Sequence, residues 1–247
     1  MTAPTTKSVQ ADVSQPSQTP SNGIVFPPSD LYSDEPPLES SLHLDQLLLL
    51  LACLRWYWRD RNDYFAGGNL TIYYSPRQLK SEDFRGPDFF VVSGTDGHPR
   101  KSWVVWEEDG KYPNIIIELL SDSTADTDRE LKKSIYQDTF RTPDYFWFSP
   151  DTLEFKGFHL LDGTYEALEP NEQGWLWSEQ LQLFLGIYGQ QLRFFSPAGV
   201  LVPTPEEFAN AAVQQAEAAT QQAEIERQRS NALAAKLREL GIDPEQI

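Results

Sequence analysis

A glutamate set inside an apolar run limits how this chain can fold more than any other feature. Glu118 interrupts the sequence Ile115-Ile116-Ile117 and Leu119-Leu120. So many consecutive large apolar residues predict a strand buried on both faces. An ionised carboxylate in such a strand is costly unless it is paired or holds a cation. A second acid, Asp88, has the same setting, after Gly86-Pro87 and before Phe89-Phe90-Val91-Val92. Two acids at strand positions, about thirty residues apart, suggest a shared divalent cation. The stretch between them is long enough to bring both strands into one sheet.

The other elements follow from periodicity and punctuation. Residues 1–40 are rich in Pro, Ser, Thr, Gln and Asp, and read as a disordered tail. Leu44, Leu47, Leu48, Leu51, Leu54 and Trp58 recur at helical spacing, so a helix is expected over residues 42–60. Strands are expected at 70–74, 86–92, 103–107, 114–119 and 145–148. Residues 154–160 and 164–168 should form a hairpin around Asp162-Gly163, with further strands at 181–188 and 192–195. Between the Glu118 strand and residue 145, the run Ser121-Asp122-Ser123-Thr124 offers helix caps. A helix over 126–140 should then bury Leu131, Ile135 and Phe140. This order gives an α/β domain over residues 41–203, a mixed β-sheet core flanked by helices.

The last segment, residues 204–247, changes to Ala, Gln, Glu and Arg, with no Gly or Pro between Glu206 and Leu240. It predicts a long helix over 206–240 closed by Gly241. Its seam is mostly alanine, with Ile225, Leu233, Leu237 and Leu240. A weak coiled coil and a solitary solvated helix both fit that seam.

Composition bounds the partners and the compartment. The single cysteine, Cys53, cannot form an intrachain disulfide. The N-terminus lacks the basic-then-apolar order of a signal peptide, and the apolar run 47–52 is too short to span a bilayer. A cytoplasmic protein away from the membrane is expected. The net charge of -17, from 37 acids against 20 bases, counts against a broad nucleic-acid surface. Yet Arg55, Arg59, Arg61, Arg77, Lys80, Arg85, Arg100 and Lys101 cluster in the segment around Asp88. They make either a local basic rim or a mixed-charge surface.

Three stretches together resemble one family. They are Glu118-Leu119-Leu120-Ser121-Asp122-Ser123-Thr124, then Asp128-Arg129-Glu130-Leu131-Lys132-Lys133-Ser134-Ile135-Tyr136, then Thr142-Pro143-Asp144-Tyr145-Phe146-Trp147-Phe148-Ser149-Pro150. With Pro87-Asp88 upstream, they are similar to the Uma-two-type restriction endonuclease family, a branch of the PD-(D/E)xK nucleases. The resemblance covers roughly residues 44–197. Asp122 and Ser149 depart from the usual Pro and Asp of that pattern, and neither is a proposed ligand.

The resemblance implies a restriction endonuclease-like fold and Mg²⁺-dependent hydrolysis of DNA phosphodiester bonds, with Mn²⁺ as a substitute ion. Asp88, Glu118 and the Leu119 backbone carbonyl would hold the metal. Leu120 stands where the motif lysine is expected, and the resemblance implies that Lys132, on the following helix, supplies the charge. Asp128, Lys132 and Tyr136 share one face of that helix by their four-residue spacing. DNA would be the partner, and a homodimer is compatible with the family.

Other readings stand beside these. Asp88 could be a turn aspartate, Glu118 an edge-strand acid facing water, and Lys132 a solvated helical lysine. Tyr136 reads as core, Ser121 and Ser123 as caps, and Asp128 as a favourable charge at a helix start. His43, His98 and His159 show no metal-ligand spacing. The alternative function is a catalytically inactive interaction or nucleic-acid-binding protein on the same fold.

Overall fold

In this computed structural model residues 31–35, 38, 40–75, 84–121, 128–241 and 243 are described, without the side chains of 84, 85, 128 and 129. Most of the expected N-terminal tail, and the first two residues of the expected 126–140 helix, lie outside them. Helix α1 (Ser41–Tyr57) precedes strands β1 (Tyr64–Gly67), β2 (Ile72–Tyr73), β3 (Phe84–Arg85), β4 (Phe89–Ser93), β5 (Trp103–Val104) and β6 (Ile115–Leu119). Helix α2 (residues 128–140) leads into β7 (Asp144–Phe148), β8 (Phe155–Leu161) and β9 (Thr164–Ala167). Strands β10 (Leu176–Ser178), β11 (Leu183–Tyr188) and β12 (Gln191–Phe195) and the long helix α3 (Pro205–Glu239) complete the chain.

The main sheet has six strands in the order β1-β4-β6-β7-β8-β9. Only β6 and β7 are parallel, joined through α2, and the other neighbours are antiparallel. Alternation along β6 divides the core. Ile115, Ile117 and Leu119 join Leu47, Leu50, Cys53 and Leu54 of α1, with Phe89, Val91 and the inner side of β10-β11-β12. Ile116 and Leu120 join Tyr136 and Phe140 of α2, with Phe90, Val92, Tyr145 and Trp147. The expected α/β architecture is therefore present, a mixed sheet packed on both faces.

Three local expectations need correction. In α1 the buried residues are His43, Gln46, Leu47, Leu50, Cys53 and Leu54, while Leu44 and Leu48 face solvent. An almost unbroken leucine run carries no phase, so periodicity could not tell which leucines turn inward. The strand expected at 103–107 stops at Val104 and passes into turns. In α2, π-helical winding over Asp128–Lys132 and Tyr136–Phe140 flanks a short α-helical stretch, Lys133–Ile135. The wider i→i+5 turn shifts the phase of the helix. Leu131 is consequently exposed, not buried, while Tyr136 and Phe140 point inward.

Helix α3 is a long rod rooted at one end. Thr204 and Glu207 form a reciprocal capping box at its start, and Gly241 follows its end at φ +76°. No α3 residue is buried. At the root, Glu207 accepts from both Nη atoms of Arg193 (3.0 and 2.6 Å), and Phe208 packs on Trp56 of α1. Arg193 is buried to 4% exposure. Cutting the chain after Pro203 should therefore take the carboxylate partner from a buried guanidinium that keeps its bond to the Val202 carbonyl, a loss of about 1–3 kcal/mol, or roughly 2–4 °C in Tm per kcal/mol. Cutting after Asn210 spares that ion pair and should leave the melting temperature unchanged. Equal melting of the two truncations would show that the root adds nothing to the domain. No described helix is long and apolar enough to cross a membrane.

Candidate active site

Sheet register brings the two acids together. In the antiparallel pairing of β4 and β6, Phe89 stands opposite Ile117 and Phe90 opposite Ile116. Asp88 sits in the bend just before Phe89, where β4 begins, and its carboxyl shares a hydrogen bond with that of Glu118. Glu118 projects to the side of the sheet covered by α2. The Asp88 carboxylate also accepts the Leu119 backbone N–H through Oδ2 at 2.8 Å. It therefore continues the strand ladder where β4 has ended.

Glu118 is fully buried. Both of its oxygens are engaged from α2: Oε1 accepts the Tyr136 hydroxyl at 2.6 Å, and Oε2 accepts the Lys132 ammonium at 3.1 Å. The four-residue spacing of Lys132 and Tyr136 thus does what the sequence suggested, although the helix is wound wider than expected. The Asp128 side chain lies outside the described residues. Burial pushes the Glu118 carboxyl up to about 7. The Lys132 charge opposes that rise, the charge and hydrogen bond of Asp88 add to it, and the Tyr136 hydroxyl opposes it. A carboxyl held near neutrality by a dry site is a common signature of functional positions.

Two further residues reach the centre that the sequence did not single out for it. His43, buried in α1, places Nε2 3.2 Å from the Leu119 carbonyl oxygen, and its Nδ1 lies 2.8 Å from Ser40 Oγ. A carbonyl only accepts, so Nε2 carries the proton in this contact and the serine hydroxyl can donate to Nδ1. The carbonyl keeps a second lone pair. The four-residue periodicity that places His43 beside a strand end is visible only once the phase of α1 is known.

Glu35 is the second. Residues 31–35 lie across β2 and β5: Ser33 N–H donates to the Lys101 carbonyl (2.9 Å), and Ser102 Oγ–H to the Leu31 carbonyl (2.7 Å). The buried Thr71 hydroxyl accepts the Asp34 N–H (2.9 Å) and donates to Glu35 Oε1 (3.1 Å). Gly86 makes room, since a Cβ there would collide with the Glu35 carboxyl. Burial raises the Glu35 pKa. The Thr71 hydrogen bond and the Lys132 charge lower it, and the Glu118 charge raises it. Glu35 therefore shares an electrostatic environment with both Lys132 and Glu118. Nothing in the Pro- and Ser-rich segment 1–40 signals such a contact.

The donors present suit a hard cation. Asp88 and Glu118 offer carboxylate oxygens and Leu119 a carbonyl, and Mg²⁺ characteristically takes one or two carboxylates and keeps several waters. Among the described residues no group of three or more His, Cys, Asp or Glu side chains is arranged to hold a metal ion. Any cation here would rest on the two carboxylates and main-chain or solvent oxygen. A cavity of about 670 Å³ elsewhere, lined by Asp96, Arg100, Lys101 and Glu107, shares no lining residue with this centre. Its buried Arg100 is already held by Glu108 and Asp96. Asp144, the other buried acid among the described residues, is satisfied by His159, Ser178 and the Gln180 N–H. It ties β7 to neighbouring strands and carries no opposing carboxylate.

Comparison with known proteins agrees with the sequence motifs. The family model described as "Uma2: Putative restriction endonuclease" matches residues 31–189. Among solved structures, the chain is similar to a "putative nuclease belonging to DUF820" from Anabaena variabilis ATCC 29413. The two share 13% identity over 59% of this chain and 76% of that one, with a TM-score of 0.43. That likeness is too distant to assign a function. No curated protein matches.

Proposed function

Because the chain belongs to the Uma2 family, whose members are described as putative restriction endonucleases, we propose that it is a Mg²⁺-dependent endonuclease that hydrolyses DNA phosphodiester bonds. The observation that carries this reading is the fully buried Glu118 carboxylate, hydrogen-bonded with Asp88 and contacted by Lys132 at 3.1 Å. A structural acid would need one partner. Glu118 has an acid, a base and a phenol around it.

Asp88 and Glu118 are the metal ligands in this proposal, with the Leu119 carbonyl as the main-chain donor and Mn²⁺ as a substitute ion. When bound, the cation supplies acidification of a water and neutralises charge developing on the phosphate. Lys132 extends from α2 with its side chain 20% exposed, so its ammonium can face both the carboxylates and a substrate phosphate. It would orient the attacking water or neutralise a phosphate oxygen while the bond to the leaving sugar oxygen breaks. Tyr136 holds Glu118 Oε1 and fixes that carboxylate. His43 steadies the Leu119 carbonyl from the α1 side.

Calorimetry tests the cation site directly. Mg²⁺ and Mn²⁺ should each bind at one site in the wild type, and Asp88→Asn and Glu118→Gln should each abolish that heat. Unchanged binding in both variants would remove the carboxylate pair from any metal role. A second reading, a non-catalytic interaction protein, is favoured by the closed Lys132–Glu118 ion pair and the net charge of -17. It requires no cation heat at Asp88 and Glu118.

A further inference from the structure

Helix α3 has two halves of opposite charge. Residues 205–226 hold five acids and no base, whereas residues 227–240 hold four bases and one acid. The domain engages only the root, through Glu207 and Phe208, and no α3 residue is buried. Arg227 and Lys236 pair with Glu224 and Glu239 of the same helix. Exposed pairs of this kind contribute little, and they leave the two halves opposite in sign.

The apolar face is as lopsided as the charge. Ala209, Ala212, Ala216, Ala219 and Ala223 follow one another in steps of three and four residues. The same steps carry the face through Glu226 and Ser230 to Leu233, Leu237 and Leu240. This is the spacing of a coiled-coil seam. The bulk is all at the far end, where Leu233 and Leu240 are 63% and 68% exposed.

A second copy laid antiparallel matches both asymmetries. The repeat then sets Leu233 of one copy against Ala216 of the other, Leu237 against Ala212 and Leu240 against Ala209. A shift of seven residues sets the same leucines against Ala223, Ala219 and Ala216. Large against small fills the seam evenly along its length. The acidic half of each copy also lies along the basic half of the other. A parallel pair does the reverse. It stacks alanine on alanine and leucine on leucine, and it runs like charges side by side. We propose that α3 is a self-association helix, through which two copies of this chain pair as an antiparallel coiled coil with their domains at opposite ends. The proposal is independent of the cation reading of Asp88 and Glu118.

Sedimentation of the full chain should show a reversible dimer of the 28.2 kDa polypeptide, with a micromolar dissociation constant. Leu233→Lys/Leu237→Lys should weaken it at least ~100-fold, because apolar burial is lost at both ends of the pair. Arg227→Glu/Arg229→Glu/Lys236→Glu/Arg238→Glu keeps every leucine and should weaken it about tenfold or more, since the helix becomes acidic throughout. The domain's melting temperature should stay at the wild-type value in both variants, because no α3 residue is buried. Orientation is read from spin labels on Glu239→Cys, the native Cys53 being buried. An antiparallel pair holds the two labels about 30–45 Å apart, at 1.5 Å of rise per residue. A parallel pair brings them within roughly 20 Å, given the spacing of packed helices. A monomeric wild type would overturn the proposal and leave α3 to a different partner. So would an undiminished dimer in either variant, which places the interface elsewhere or removes charge from it. Labels at the short distance would overturn it as well.

Discussion

Lys132→Ala is expected to lower Mg²⁺-dependent DNA cleavage by about 10²–10³-fold, the usual loss when one positioned charge-stabilising group is removed. The adjacent Lys133→Ala should change cleavage little. The two lysines are neighbours in sequence and opposites in placement. Lys132 Nζ lies 3.1 Å from Glu118 Oε2, whereas Lys133 Nζ lies over the Phe158 ring, 3.5 Å from its centroid. Removing Lys133 takes away packing and a cation–π contact on the sheet face, an effect on stability of about 0.5–1 kcal/mol. Removing Lys132 takes away the only cation seen on the carboxylate pair among the described residues. Cleavage at the wild-type rate by Lys132→Ala would strike Lys132 from the mechanism even if the cation site survived.

That contrast also marks where sequence reasoning reaches its limit. Glu118 was legible because a charge inside Ile-Ile-Ile and Leu-Leu has few tolerable explanations, and strand alternation then decided its face. Asp88 was legible for the same reason, and it lies at the start of β4 in hydrogen-bond reach of Glu118. Lys132 and Tyr136 were legible as a pair from their spacing, but the choice of Lys132 over Lys133 came only from the resemblance. Other features have no sequence signal of comparable strength. The phase of α1 is hidden in a leucine run, so His43 could not be assigned to the Leu119 carbonyl. The π-helical winding of α2 leaves no periodic mark in so short a helix, which is why Leu131 was expected inside. Strand β1 was missed because its Gly67-Gly68 end resembles a loop. Glu35 reaches the centre through hydrogen bonds to Thr71 and through the absence of a side chain at Gly86, contacts between segments far apart in the chain. Periodicity reports on one element at a time and cannot see them.

Glu118→Gln should abolish cation binding and yet flatten the dependence of stability on pH. The sign follows from linkage. The carboxyl has an ordinary value of 4.5 and is pushed up to about 7 in the fold. Between these values the folded protein holds a proton that the unfolded chain has lost, so stability falls as pH rises through the window. The shift corresponds to about 3 kcal/mol, at 1.36 kcal/mol per unit. This contribution is fully present below pH 4.5 and lost once pH passes about 7. Above pH 7 the wild type therefore carries a destabilising buried carboxylate, only partly compensated by Lys132. Glutamine removes the proton uptake while keeping an oxygen for the Tyr136 hydroxyl. Urea unfolding of wild type and Glu118→Gln at pH 5 and pH 8 measures the difference. The wild type should lose about 2–3 kcal/mol more than the variant between those two pH values, slightly less than the whole window because pH 5 already lies inside it. Saturating Mg²⁺ should return stability to the wild type at pH 8, because an ion bound only by the folded state stabilises it. It should do nothing for Glu118→Gln. Parallel pH profiles in the two proteins would mean that Glu118 titrates near its ordinary value. The buried acid would then be neutralised by Lys132 alone, and the driving force for cation capture at this site would be gone.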